Sequence, residues 1–454
     1  MKTVGWVRGD KNDYDAWAKV VGDERWSYAG FLPYFKKIEH YHTTDLDASQ
    51  HGYDGPLYTQ SVASSGRNYP LTENVKRSWE ELGLKRVIDA NAGSPMGIVM
   101  VTENLRDGKR QVASDVYPLE GVTVLTKTMV ASVVLEGKKA AGVRLVDGRV
   151  FEASEEVILS AGAIATPQIL LLSGIGAKED LEEYGIEQLI DAPEVGKNFH
   201  GHMCVSQWWQ LKEPEKGLAV GSPNFNYHSL EKGFPGDWCI TQTMPHEGLK
   251  AALTKEEQNV TDSHPLLSPP RSHTESFLLY VAGNRANPVV PADGSHVTTT
   301  VMAMLPTSRG TVTLASKDPA MPPRIDPNYY ATEADRYVVR TGLRKIMQAM
   351  METKEEKAMV KEQAVAKGRN QLSSRSSDEE IDDLVRERGS GISHTAGTAS
   401  MGTVVDGNLR VNGVHGLRVV DASVIPVPLA SHLQACIYAL AEKAAEIIVQ
   451  AREN

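Results

Sequence analysis

Between Val157 and Gly176 the chain passes from a short β-branched run through a string of small residues into an apolar stretch. Val157-Ile158-Leu159 reads as a strand, Ser160-Ala161-Gly162-Ala163 as a tight turn, and Gln168 to Leu172 as a helix that stops at Ser173-Gly174-Ile175-Gly176. Strand, small-residue turn and helix in that order let a backbone approach a cofactor closely, because no side chain stands in the way. The helix is expected to start near Thr166-Pro167, with Pro167 in the first turn, where its missing N–H costs nothing. Upstream, Val122 to Thr126, Ala131 to Leu135, Ala141 to Leu145 and Phe151 read as strands of a meander that feeds the strand at Val157. The unit directs the chain to an α/β fold, α+β overall.

A chain of 454 residues exceeds what one hydrophobic core usually serves, so two or three domains are expected. Leu71 to Leu84 and Glu333 to Met351 carry apolar residues at helical spacing, and Lys354 to Arg388 reads as charged surface helix. Val297 to Leu305 and Gly310 to Leu314 read as strands of a second sheet. The net charge of −10, with no long Lys/Arg cluster, argues against nucleic acid or anionic membrane as a partner. No apolar run reaches the roughly 18–20 residues of a membrane span. The opening residues lack the apolar stretch of a signal peptide, so a soluble protein is expected. Cys204, Cys239 and Cys436 form neither a disulfide framework nor a zinc motif and are expected as free, buried thiols.

The last sixty or so residues carry the chemistry. Ser393-His394-Thr395-Ala396-Gly397-Thr398 forms one block, Gly416 to Pro426 a strand opening into a turn, and Ser431-His432-Leu433-Gln434 the start of an apolar helix that runs to Val449. An imidazole with a pKa near 6.5 is poised to accept a proton at neutral pH. His432 sits where a helix N-terminus offers free N–H groups and partial positive charge. His200-Gly201-His202 could suggest metal, but two histidines at i and i+2 are weak evidence, and the stretch reads as a repacked loop.

These blocks resemble the glucose–methanol–choline (GMC) flavoprotein oxidoreductases. Gly162 to Gly176 fits the family's second signature, and the blocks at His394, Asp421 and His432 follow in the family's order. Val195-Gly196-Lys197-Asn198-Phe199 is similar to the family's VGxNL segment, and Arg8 to Trp17, Trp26 to Tyr28 and Leu32 to Lys37 also look like the family. The resemblance implies FAD as cofactor, His394 as general base and His432 as its partner in oxidising an alcohol. It further implies Val130 at the adenine end of FAD, Asp421 and Ala422 by the pyrophosphate and ribityl chain, and Leu433 and Gln434 near the ring. It divides the chain into an FAD-binding remnant at 1–62, a substrate-domain excursion at 63–100, FAD-binding domain at 101–205, substrate domain at 206–393, and FAD-binding domain again at 394–454.

The sequence departs from the family at two places. No GxGxxG opens the chain, and Lys2, Thr3 and Val4 stand where the first signature has Asn-Gly-Met, with Arg8-Gly9 retained. A βαβ unit of roughly 30 residues or more is therefore expected to be missing, with FAD affinity lowered by orders of magnitude. Gly201 stands where the family usually has Asp. Besides an alcohol oxidase or dehydrogenase, a lyase or cyclase without net redox and a flavin-free binding protein are alternative readings. Trp208, Trp209, Phe225, Tyr227, Trp238, Phe277 and Tyr280 point to an apolar or aromatic alcohol of the kind met in secondary metabolism as the small-molecule partner.

Overall fold

Two large hydrophobic cores and a third, smaller cluster organise the chain, and His394 and His432 lie beside the smaller cluster. The structure, a computed structural model, describes residues 4–43 and 46–453. Lys2 and Thr3 lie outside the described residues. In chain order the elements that matter here are α1 (Lys11–Val21), α2 (Tyr28–Ile38), β1 (Gly97–Met100), β2 (Val130–Glu136), β3 (Lys139–Leu145), β4 (Val150–Glu152), β5 (Val157–Leu159) and α3 (Gly162–Leu172). They continue with β6 (Met203–Leu211), β7 (Trp238–Gln242), β8 (Thr274–Leu279), β9 (His296–Ala303), α4 (Glu333–Met351), β10 (Val360–Ala364), β11 (Leu417–Val419) and α5 (Gln434–Glu453).

The first core gathers α1, α2, α3 and α5 around β5 and β11, which pair in parallel from Val157 with Leu417 to Leu159 with Val419. Asp10 caps α1 through Asn12 N–H, and Gly22 ends it in the left-handed conformation. Trp17 and Trp26 stack at 5.3 Å, giving the N-terminal helices a rigid apolar face. Strands β2, β3 and β4 form an antiparallel meander beside this core.

The second core lies on an eight-stranded sheet ordered β10-β6-β9-β8-β7-β1 and then residues 86–87, with Gly389–Gly391 pairing to β6 beyond β10. Its pairings are antiparallel except that of 86–87 with β1. Helix α4 starts at Thr332, whose hydroxyl accepts from Asp335 N–H, and buries Val338, Val339, Leu343, Ile346, Met347 and Met350 on one stripe. The stripe packs on β9 at Gly342, where a Cβ would stand 2.6 Å from Val301 Cγ2. No helix among the described residues is long and apolar enough to cross a membrane.

The structure corrects three sequence expectations. Helix α3 starts at Gly162, so Pro167 lies inside it rather than in its first turn. Proline deprives the Ala163 carbonyl of its helical donor. The Thr398 hydroxyl donates to that carbonyl at 2.7 Å, so the block that carries His394 repairs the helix. Residues 122–126 form no strand, and Val122, Val124 and Leu125 are 58%, 56% and 50% exposed. β-branched residues hold an extended ladder only where a neighbouring edge takes their N–H and C=O groups, and no strand lies beside them among the described residues. Within the expected helix of 354–388, residues 360–364 are β10, paired to β6 from Trp208 with Ala364 to Leu211 with Val360. A register shift opposite Gln210 and Leu211 interrupts the alternation, and exposed Lys361 suits an edge strand.

Replacing Thr398 with valine keeps the shape and removes the donor to Ala163. Thr398→Val should lower the unfolding free energy by about 1–3 kcal/mol, the cost of stranding a buried carbonyl. Urea denaturation measures it, and an unchanged midpoint would mean that the carbonyl finds another donor.

Candidate active site

His394, His432 and His202 converge beside the smaller cluster. Segments 198–202 and 392–396 run antiparallel, with His200 N–H donating to Ala396 O, Ala396 N–H to His200 O, and Ile392 N–H to His202 O. This pairing sets His202 and His394 side by side. Ser393, immediately before His394, has φ 64°, a left-handed conformation that a serine adopts only where its surroundings impose it. Gly397 must be glycine, because a Cβ there would lie 2.3 Å from Asn198 O. At Gly201 a Cβ would lie 2.9 Å from the Tyr329 hydroxyl and 3.2 Å from His394 O, so a larger residue there would press on the His394 backbone.

His394 Nδ1 lies 2.8 Å from His202 Nδ1, and His202 Nε2 lies 3.0 Å from the carbonyl oxygen of Leu429. On the other side, the His394 and His432 rings stand 5.0 Å apart, edge to face. His432 Nε2 lies 2.5 Å from Glu275 Oε1. Glu275 comes from β8 of the large sheet, and its side chain is buried. The loop ahead of His432 is tied from the first core, where Ala430 N–H donates to the Asp13 carboxylate, which is paired with Arg271.

These neighbours drive the two central imidazoles apart. Burial first, then the positive charges of His202 and His432 were they protonated, pushes His394 far below the ordinary imidazole value, so it is neutral. Burial also pulls His432 down, but the charge of Glu275 and its hydrogen bond outweigh burial, and the net shift is upward. His202 is pulled down to about 4, chiefly by burial.

Both His394 and His432 line a cavity of about 180 Å³. The rest of its wall is largely apolar, including Val99, Met100, Phe277, Leu279, Met302 and Ile392. His394 Nε2 has no hydrogen-bond partner and is open to this cavity, whereas His432 Nδ1 and Ser431 Oγ are sealed in without partners. The N–H groups of Gln434, Ala435 and Cys436, in the first turn of α5, have no acceptor among the described residues.

The other residues singled out from the sequence fall at separate places. Asp421 is buried, and its carboxylate accepts from Gly162 N–H at 2.8 Å, the Thr166 hydroxyl at 2.6 Å and the N–H of Ser423 at 2.8 Å. It therefore locks the turn before α3 to the end of β11 rather than reaching outward. Ala422 takes Gly397 N–H on its carbonyl, which joins it to the His394 block. Leu433 is buried in the first core, and Gln434 opens α5 beside a second cavity of about 290 Å³ shared with Arg110 to Ala113 and Tyr438. Val130 is half-buried at the start of β2, apart from the histidines. Among the described residues no His, Cys, Asp and Glu side chains cluster as a metal site, and the three cysteines are free and buried.

Two members of the site were not legible. Glu275 is one acidic residue within Thr274-Glu275-Ser276-Phe277-Leu278-Leu279, and that lone charge in an apolar strand was the available signal. His202 ends a two-histidine stretch whose spacing carries no signal of its own, and it leads directly into β6.

Comparison with known proteins places these features. The sequence model of the GMC oxidoreductase family, in its N-terminal and C-terminal parts, matches residues 2–204 and 306–441. A GMC-type oxidoreductase, acuG, from Aspergillus aculeatus is 41% identical over 98% of this chain and 82% of its own length. An alcohol dehydrogenase [acceptor] of Pseudomonas putida is 29% identical over 99% of this chain and 80% of its own. Among solved structures, a formate oxidase of Aspergillus oryzae, studied for FAD modification, superposes with a TM-score of 0.85 at 26% identity, covering 99% of this chain and 82% of its own.

Glu275→Gln tests the split between the imidazoles. The carboxylate holds the proton on His432 to a higher pH than an ordinary imidazole keeps it, so removing the charge lets burial act unopposed and the proton should leave at lower pH. NMR titration of the His432 ring in the two proteins reads this shift, and coincident curves would remove Glu275 as its cause.

Proposed function

The chain belongs to the GMC oxidoreductase family, and from that premise we propose that it oxidises a small apolar alcohol, with FAD as cofactor, His394 taking the hydroxyl proton and His432 holding the oxygen. One observation carries the reading: a neutral imidazole whose Nε2 is free faces the same apolar cavity as an imidazole that a buried carboxylate keeps protonated. A base and a fixed positive charge, side by side and buried, suit removal of an alcohol's proton.

The residues present suit FAD. Three N–H groups at the start of α5 lack acceptors, and Ser431 Oγ and His432 Nδ1 are orphaned beside them. A Cβ on Gly162 would meet nothing within 4 Å, so the small-residue turn before α3 is open to a close neighbour. Leu433 and Gln434 are assigned to the ring end, Ala422 and the Asp421 backbone to the linking chain, and Val130 to the adenine end. The lobe of the first core is assigned to the cofactor and the large sheet to the substrate. When bound, FAD supplies the two-electron acceptor for the hydride that leaves the carbinol carbon. The alcohol's proton goes to His394 Nε2, and the product is the corresponding carbonyl compound. His432, with Nε2 held by Glu275 and Nδ1 sealed from the cavity, acts on the alcohol oxygen through its positive charge and stabilises the negative charge that develops there.

The cavity supports one substrate class. An apolar void of roughly 150 Å³ accommodates a benzene ring, and this one, at about 180 Å³, suits a single-ring primary alcohol. The dehydrogenase of Pseudomonas putida, named for alcohols, is consistent with an alcohol substrate. Benzyl alcohol should bleach the flavin absorbance of the FAD-loaded protein anaerobically, while a charged alcohol of equal size should not. His394→Ala should reduce turnover on the order of 10²–10⁴-fold with bound flavin retained. Turnover within a few-fold of the parent would exclude His394 as the base.

A further inference from the structure

His202 occupies the site without facing the cavity. Its two nitrogens are both engaged, one on a carbonyl oxygen and one on the base. A carbonyl oxygen can only accept, so the proton of His202 is on Nε2, donated to Leu429 O. A second proton is disfavoured there by burial and by the nearby charge of His432. His202 Nδ1 is then a bare lone pair, and the 2.8 Å contact to His394 Nδ1 requires His394 to supply the hydrogen. His394 is neutral and has one ring proton, which leaves its Nε2 unprotonated.

We propose that His202 is a positioning residue that selects the catalytic tautomer of His394: it accepts Nδ1–H and thereby leaves the Nε2 lone pair in the cavity. The inference rests on His394 being the base. It adds a relay that neither imidazole could provide alone. Leu429 lies in the loop that leads to His432, so one hydrogen-bonded chain, Leu429 O to His202 to His394, couples the placement of that loop to the protonation pattern of the base. A third group that orients a base and fixes its tautomer is a recurring device in acid–base catalysis, usually filled by a carboxylate. A neutral imidazole does the same work here without bringing a negative charge, which would raise the basicity of His394 and its tendency to become charged beside His432.

The experiment is two substitutions in the full chain, loaded with FAD, read by kinetics and by NMR with isotope-labelled histidine. In the parent, long-range ring correlations of His394, assigned by their loss in His394→Gln, should show a protonated Nδ1 and a bare Nε2. His202→Leu removes the acceptor, so the Nε2–H tautomer should appear and kcat should fall on the order of 10²-fold with little change in KM. His202→Asn puts an amide oxygen near the position of Nδ1 and should restore the Nδ1–H pattern, with kcat within roughly tenfold of the parent. A parent spectrum with the proton on His394 Nε2 overturns the proposal, as does a folded His202→Leu protein with unchanged tautomer and kcat. Should His202→Leu not fold, the parent spectrum and His202→Asn decide the matter. Normal turnover in His394→Ala would instead defeat the assignment of the base, and the spectra would still report whether His202 sets the tautomer.

Discussion

Two buried imidazoles with ring centres 5.0 Å apart cannot both carry charge, and Glu275 decides which one does. At that separation in a desolvated site a second positive charge would cost several kcal/mol. The carboxylate accepts from His432, so His432 takes the proton and His394 remains neutral. The pair of Glu275 and His432 is neutral as a whole, which keeps the cost of burying it moderate compared with an isolated charge. Everything proposed for the chemistry follows from this asymmetry between two residues of the same type.

The asymmetry needs parts from both cores. Glu275 stands on a strand of the large sheet, while His432 begins at a loop tied to α1 through Asp13 and Ala430. His394 reaches the site from a segment that also patches helix α3 through Thr398 and Ala163. The same few residues therefore support the helix, aim His394 and join the lobes. Ser393 in its left-handed conformation is the local cost of that convergence.

What the sequence disclosed and what it withheld divide along a physical line. The α3 unit, the strand at Leu417, helix α4 and the helix after His432 are written in local periodicity and turn residues, and they were legible. His394 and His432 stand out in the sequence because their neighbours form short motifs, and the structure brings their rings to 5.0 Å. Glu275 was not, because its role comes from a contact with a residue far along the chain, and nothing in its own strand signals the partner. His202 was masked by the weakness of any two-histidine spacing, although its contact to His394 is set by the antiparallel pairing of 198–202 with 392–396. Residues 122–126 show the converse failure: the β-propensity is present and the neighbouring edge is not, so propensity alone does not make a strand. Pro167 shows a third kind, in which a distant hydroxyl overrides a local rule.

A strongly depressed pKa makes His394 always available and intrinsically weak, and the proposed reaction needs it to be effective. The site offsets that weakness at the oxygen rather than at the base. An alcohol hydroxyl placed against a protonated His432 in an apolar cavity faces a fixed positive charge that no water screens, so its proton is released more readily than in solution. Moving that proton to His394 would put two imidazolium rings 5.0 Å apart. That arrangement is tolerable only while compensating negative charge develops between or beside them, as it would when the oxygen gives up its proton. In the proposed reaction, proton acceptance by His394 would then be coupled by electrostatics to departure of the hydride. A buried, depressed base favours such concerted transfer over a free alkoxide, because neither charge separation alone is affordable in the cavity.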